Sequence, residues 1–133
     1  MRTYLVTVLL LLFPLMVAYA GEADVISVEV MKLGDSTYRF DVTVSHNDEG
    51  WNHYVNQWDV VGSDGTVYGT RTLYHPHVDE QPFTRSLSGV KIPKGISRVK
   101  VRAHDSVHEY GGKVVTVGLP RQNEGNSVSG DLN

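Results

Sequence analysis

The chain has 133 residues, a formal net charge of −3 at pH 7 and no cysteine. A mildly acidic balance without a basic cluster argues against nucleic acid and anionic membrane surfaces as partners. The missing thiols exclude disulfide staples, a thiolate metal site and a blue-copper centre, which needs a cysteine.

The chain opens with "MRTYLVTVLLLLFPLMVAYA". One positive charge, Arg2, precedes an apolar run from Leu5 to Val17, and Ala18-Tyr19-Ala20 is a small-x-small cleavage pattern. This predicts a secretory signal peptide over residues 1–20, cut after Ala20. The run is short for a spanning helix, and no later segment is apolar enough to cross a bilayer, so no membrane span is expected after cleavage. No cysteine follows the run, so lipid attachment through cysteine is not expected. A small extracellular animal domain would usually carry disulfides, and their absence favours an exported protein of the bacterial periplasm, or a secreted one.

Residues 21–120 read as one domain of strands, with period-two alternation broken by turn residues. "DVISVEVMKL" places Ile26, Val28 and Val30 on one face. "STYRFDVTVSH" places Tyr38, Phe40, Val42 and Val44 inside. "WNHYVNQWDVVG" places Tyr54, Trp58 and Val60 on one face and His53, Gln57 and Asp59 on the other. "SDGT" is a hairpin turn, and "VYGTRTLY" is the returning strand. "FTRSLSGV" is the fifth strand, closed by the turn "KIPKG". "ISRVKVRAH" directs Val99, Val101 and Ala103 inward, and "KVVTVGLP" directs Val115, Val117 and Leu119 inward. The tail, residues 121–133, has no periodicity and is expected to be disordered. About seven strands with regular turns predict an all-β, antiparallel, immunoglobulin-like β-sandwich.

Antiparallel strands alternate in direction, so successive connections alternate between the two ends of the sandwich. All six histidines then map to one end, accompanied by Asp48, Glu49, Asp79, Glu80, Asp105 and Glu109. Loops at one end of a rigid sandwich are where such domains place binding sites. Neutral imidazole is the commonest protein ligand for zinc and copper. His104 and His108 are spaced i and i+4 and share a face if the segment between them forms a helical turn. His53 lies on a strand expected to neighbour theirs. The predicted metal ligands are therefore His53, His104 and His108, joined by His75, for copper or zinc. His77, Asp79, Glu80, Asp105 and Glu109 form the supporting rim. Pro76 favours a polyproline path on which His75 and His77 diverge. His46 opens "HNDEG" and reads as a plain turn residue. Arg85 is expected to pair with Asp79 or Glu80. Trp58 is assigned to the core and Trp51 to the surface.

No catalytic residue is assigned. Asp105, Ser106 and His108 are crowded into one loop and cannot easily align as orienter, nucleophile and base, and no G-x-S-x-G elbow is present. The protein is read as a non-enzyme that binds a divalent transition metal for sequestration or delivery. The alternative is an accessory module for an exported protein or glycan partner, with Trp51, Tyr54, Tyr74 and Tyr110 as contacts.

The stretches "WNHYVNQWDVVGSDGTVYGTR", "HPHVDEQPFTRSLSGVKIP" and "VRAHDSVHEYGG" resemble a group of small exported bacterial proteins described as hypothetical. The resemblance implies export and brings no activity, cofactor or site residue with it.

Overall fold

The structure, a computed structural model, describes residues 21–121 and 127–132. The expected signal peptide lies outside the described residues, as do residues 122–126 and 133 of the tail.

Eight strands run antiparallel: β1 (Asp24–Gly34), β2 (Thr37–Ser45), β3 (Val55–Val61), β4 (Val67–Thr72), β5 (Phe83–Lys91), β6 (Arg98–Asp105), β7 (Val115–Gly118) and β8 (Ser127–Leu132). One sheet holds β1, β2 and β5, and the other holds β4, β3, β6 and β7 in that order. This is the expected immunoglobulin-like sandwich, with β3 hydrogen-bonded to β6. A further strand differs from expectation. Ser127–Leu132 lie within the tail read as disordered, yet β8 pairs with both β1 and β7 and joins the two sheets. Its backbone finds ladder partners on two neighbouring strands, which alternation along the sequence does not report.

The core follows the period-two pattern. Tyr38, Phe40, Val42 and Val44 are buried from β2, and Val99, Val101 and Ala103 from β6. Trp58 is fully buried at the centre, and Trp51 is 68% exposed. Two bulges alter the faces assigned from sequence. A register shift between Val25 and Ser27 turns Val25 inward in place of Ile26. A shift between Val55 and Gln57 makes Val55, with Trp58 and Val60, the inward residue. Tyr54 is left half-buried ahead of the strand, while His53 is buried. An extra residue reverses parity for everything beyond it, which is why the expected faces of His53 and Tyr54 are exchanged. The Asp-Gly turn forms as expected, with Gly65 at φ 87° and Asp64 Oδ1 accepting from the Thr66 amide at 3.0 Å.

Candidate metal centre

The connections at one end of the sandwich bring together side chains from both sheets. His46 follows β2, His53 precedes β3, and Asp105 ends β6 on the inward-facing row of Val99, Val101 and Ala103. These three residues are buried, and each offers one ligand atom within 4.8 Å of the others. Their side chains are 0%, 8% and 0% exposed.

Asp48 is the hub that holds them. Its Oδ1 accepts from His46 Nδ1 at 2.6 Å and from the Val55 amide at 3.2 Å. Its Oδ2 accepts from the His77 amide at 2.7 Å. The carboxylate thus ties the end of β2, the start of β3 and the loop before β5 to one point. It also fixes the His46 tautomer, since the proton on Nδ1 leaves Nε2 with its lone pair. His46 Nε2 is buried and has no hydrogen-bond partner among the described residues.

Asp105 is held from one side only. Its Oδ1 accepts from the amides of Val107 at 2.9 Å and His108 at 2.6 Å, and from His53 Nε2 at 3.2 Å. Its Oδ2 is buried with no partner among the described residues. Burial works to raise the Asp105 carboxyl, but the His108 and Val107 amides and the nearby His108 and His46 rings outweigh it. The net result lies below the usual range, favouring the anion a cation needs.

The imidazoles form a chain. The His46 and His53 rings meet edge-on at 4.8 Å, and those of His53 and His108 at 4.9 Å. His108 Nδ1 is 3.4 Å from Asp105 Oδ1, with its side chain 33% exposed. Glu49 Oε2 lies 3.7 Å from His53 Nδ1. Two imidazoles and a carboxylate are a donor set suited to zinc or copper(II). Donors of a tetrahedral zinc stand ~3.3 Å apart, so the ligands here, within 4.8 Å of one another, would draw together on binding.

Of the four expected ligands, the structure brings His53 and His108 to this cluster and separates His104 from it. His104 lies on the outer face of β6, where its Nδ1 donates to Asn56 Oδ1 at 2.6 Å and its ring packs on Tyr110. The segment makes one turn, with the Glu109 amide on the Asp105 carbonyl at 3.1 Å, but not as part of a helix. Asp105 and Glu109 instead close a tight hairpin, with Glu109 at φ 59°. His104 and His108 therefore do not share a face. His46, read as a turn residue, occupies the position that His104 was expected to fill. One sequence signal pointed to it: in "HND", a carboxylate two residues beyond an imidazole can orient the ring.

His75 and His77 do not diverge as a polyproline path predicts, because the chain bends at His75. Their rings lie 4.6 Å apart, and His77 also stacks on Phe83 at 4.0 Å. His77 Nε2 accepts from Arg85 Nη2 at 3.1 Å, leaving the proton on a buried Nδ1 that stands 4.0 Å from Asp48 Oδ2. Burial depresses the His77 pKa, and Arg85 and His75 depress it further. Of the rim acids, Glu80 pairs with Arg85 at 3.0 Å, and Asp79 is exposed. Tyr110, expected as a ligand contact, donates its hydroxyl to Asp59 Oδ2 at 2.6 Å under the Arg102 guanidinium. Trp51, Tyr54 and Tyr74 stay at the histidine end, with Tyr74 78% exposed. A cleft of about 510 Å³ lies at the other end, among Lys32, Asp35, Pro93 and Lys94, remote from this chemistry.

No helix among the described residues is long and apolar enough to cross a membrane. No family model matches the chain, and no solved structure matches it. A protein from Halomicrobium mukohataei, described as "Putative lipoprotein", is 38% identical over 96 residues, which is 72% of this chain and 47% of that protein. The chain thus spans about half the length of the curated relative to which it is similar.

Proposed function

We propose that the protein is an exported carrier that binds one zinc or copper(II) ion through His46, His53 and Asp105, for sequestration or delivery. The observation that carries this is a pair of buried atoms without a partner among the described residues, His46 Nε2 and Asp105 Oδ2, on two of the three residues that can converge on one ion. Leaving a buried polar atom unsatisfied costs about 1–3 kcal/mol, a cost that a bound cation would offset. Imidazole and carboxylate donors favour these ions over copper(I), which prefers sulfur, and over magnesium or calcium, which prefer all-oxygen sites. The Asp48–His46 contact is the carboxylate–histidine pairing that orients metal ligands elsewhere. No reaction is assigned to the site. The expected leader and the lipoprotein description of the similar protein support export. The sequence offers no thiol for a thioether-linked lipid.

Titration of tag-free protein with zinc and copper(II), followed by calorimetry and imidazole NMR, tests the assignment. One ion should bind per chain, shifting signals of His46 and His53. His46→Ala and Asp105→Asn should each weaken binding by about 100-fold or more, while His104→Ala leaves it unchanged. Absence of binding at micromolar metal, or binding indifferent to His46→Ala, would overturn the reading.

A second reading has its own observation. Trp51 and Tyr74 expose most of their surface at the same end, with Val78 and Val107 nearby in sequence to the site loops. Such residues suit a protein or glycan partner contacting Trp51, Tyr54 and Tyr74.

A further inference from the structure

Resting on the metal-binding reading, we infer that His108 is the exchange ligand of this centre, the side chain through which the ion enters and leaves. The ligand group is closed almost everywhere. The side chains of His46, Asp48 and Asp105 have no exposure, His53 has 8% and His77 has 2%. An ion held there must pass a donor that solvent can reach. Among the described residues, two such donors touch the ligating side chains themselves, Glu49 at 58% exposure and His108 at 33%, while exposed His75 reaches only His77.

Geometry separates them. Glu49 approaches His53 at Nδ1, the ring nitrogen turned away from Asp105. His108 approaches from the other side, where its Nδ1 stands 3.4 Å from Asp105 Oδ1, the same oxygen that His53 Nε2 contacts at 3.2 Å. His108 is therefore the accessible imidazole on the Asp105 side of His53.

Its backbone is anchored independently of its ring. The His108 amide donates to Asp105 Oδ1 at 2.6 Å, and paired Asp105–Glu109 backbone bonds close the hairpin beneath it. The ring can then swing out while Asp105 keeps its orientation. An incoming donor from a chelator or acceptor protein would take the coordination position that His108 gives up. The ion would pass by ligand substitution, without prior release into water. His108 is thus a transfer ligand, distinct from the buried residues that set affinity.

The test is zinc transfer from the loaded, tag-free protein to a chromophoric chelator in stopped flow. Wild type is compared with His108→Ala, His108→Gln and Glu49→Gln, each checked for native circular dichroism. The wild-type rate should rise with chelator concentration. Both His108 variants should release zinc about tenfold faster or more, while losing less equilibrium affinity than His46→Ala, and Glu49→Gln should behave as wild type. A rate independent of chelator and unchanged in the His108 variants would overturn the inference and leave the metal site standing. So would a loss of affinity in His108→Ala equal to that of His46→Ala, which would make His108 an ordinary ligand. Failure of the wild type to take up zinc would remove both.

Discussion

His77 is held neutral by its surroundings. Burial, the Arg85 guanidinium and His75 all press its pKa down, against the opposing pull of Asp48 and Glu80. The unfolded chain binds a proton near pH 6.5, which the folded His77 refuses until lower pH. Its contribution to stability is therefore complete above about pH 6.5 and lost as pH falls from there towards the folded value. Urea midpoints measured between about pH 7.5 and pH 5 should fall more steeply for wild type than for His77→Gln. Equal slopes would show that His77 carries no such linkage. Several side-chain roles were legible from sequence: Arg85 with Glu80, Trp58 in the core and Trp51 outside. Others were not. The "HND" spacing hints at the Asp48–His46 pair, but no local pattern reports the further Asp48 contacts with Val55 and His77 that hold His46 at the ligand group.

At the scale of elements, the strands and their pairing follow from alternation and turn chemistry, but the bulges do not. The shift between Val55 and Gln57 has no Gly or Pro to announce it, and it decides the direction of His53. Likewise "DSVHEYGG" allows a helical turn or a hairpin; paired Asp105–Glu109 backbone bonds close the hairpin, and bonds between Ser106 and Tyr54 tie it to the chain entering β3. The glycines that follow have a packing role. A Cβ on Gly112 would collide with the Ala23 carbonyl, where the connection to β7 crosses the start of β1. Gly112→Ala should destabilise the fold by about 2 kcal/mol or more, since backbone must move to admit the methyl group. Chemical denaturation decides this, and a variant as stable as wild type would mean that the crossing yields freely.

For the whole molecule, β8 closes one side of the sandwich. Val28–Met31 pair with Ser127–Gly130, and Val115 and Thr116 pair with Leu132 and Asp131. Without it, β1 and β7 would each present an unpaired edge. A chain ending at Arg121 should show faster amide exchange at Val28–Met31 and a lower unfolding midpoint; unchanged exchange there would show that β8 adds nothing to the closure. On the opposite side the sheets end in β4 and β5, and no strand among the described residues joins them. At the histidine end, His46 comes from the first sheet and Asp105 from the second. An ion held between them would be a reversible cross-link in a chain that has no cysteine to make a permanent one. Metal at about a hundred times its dissociation constant would add ~2.7 kcal/mol to the folded state. Giving the ion away would leave a looser molecule, one that proteases recognise sooner than its loaded form.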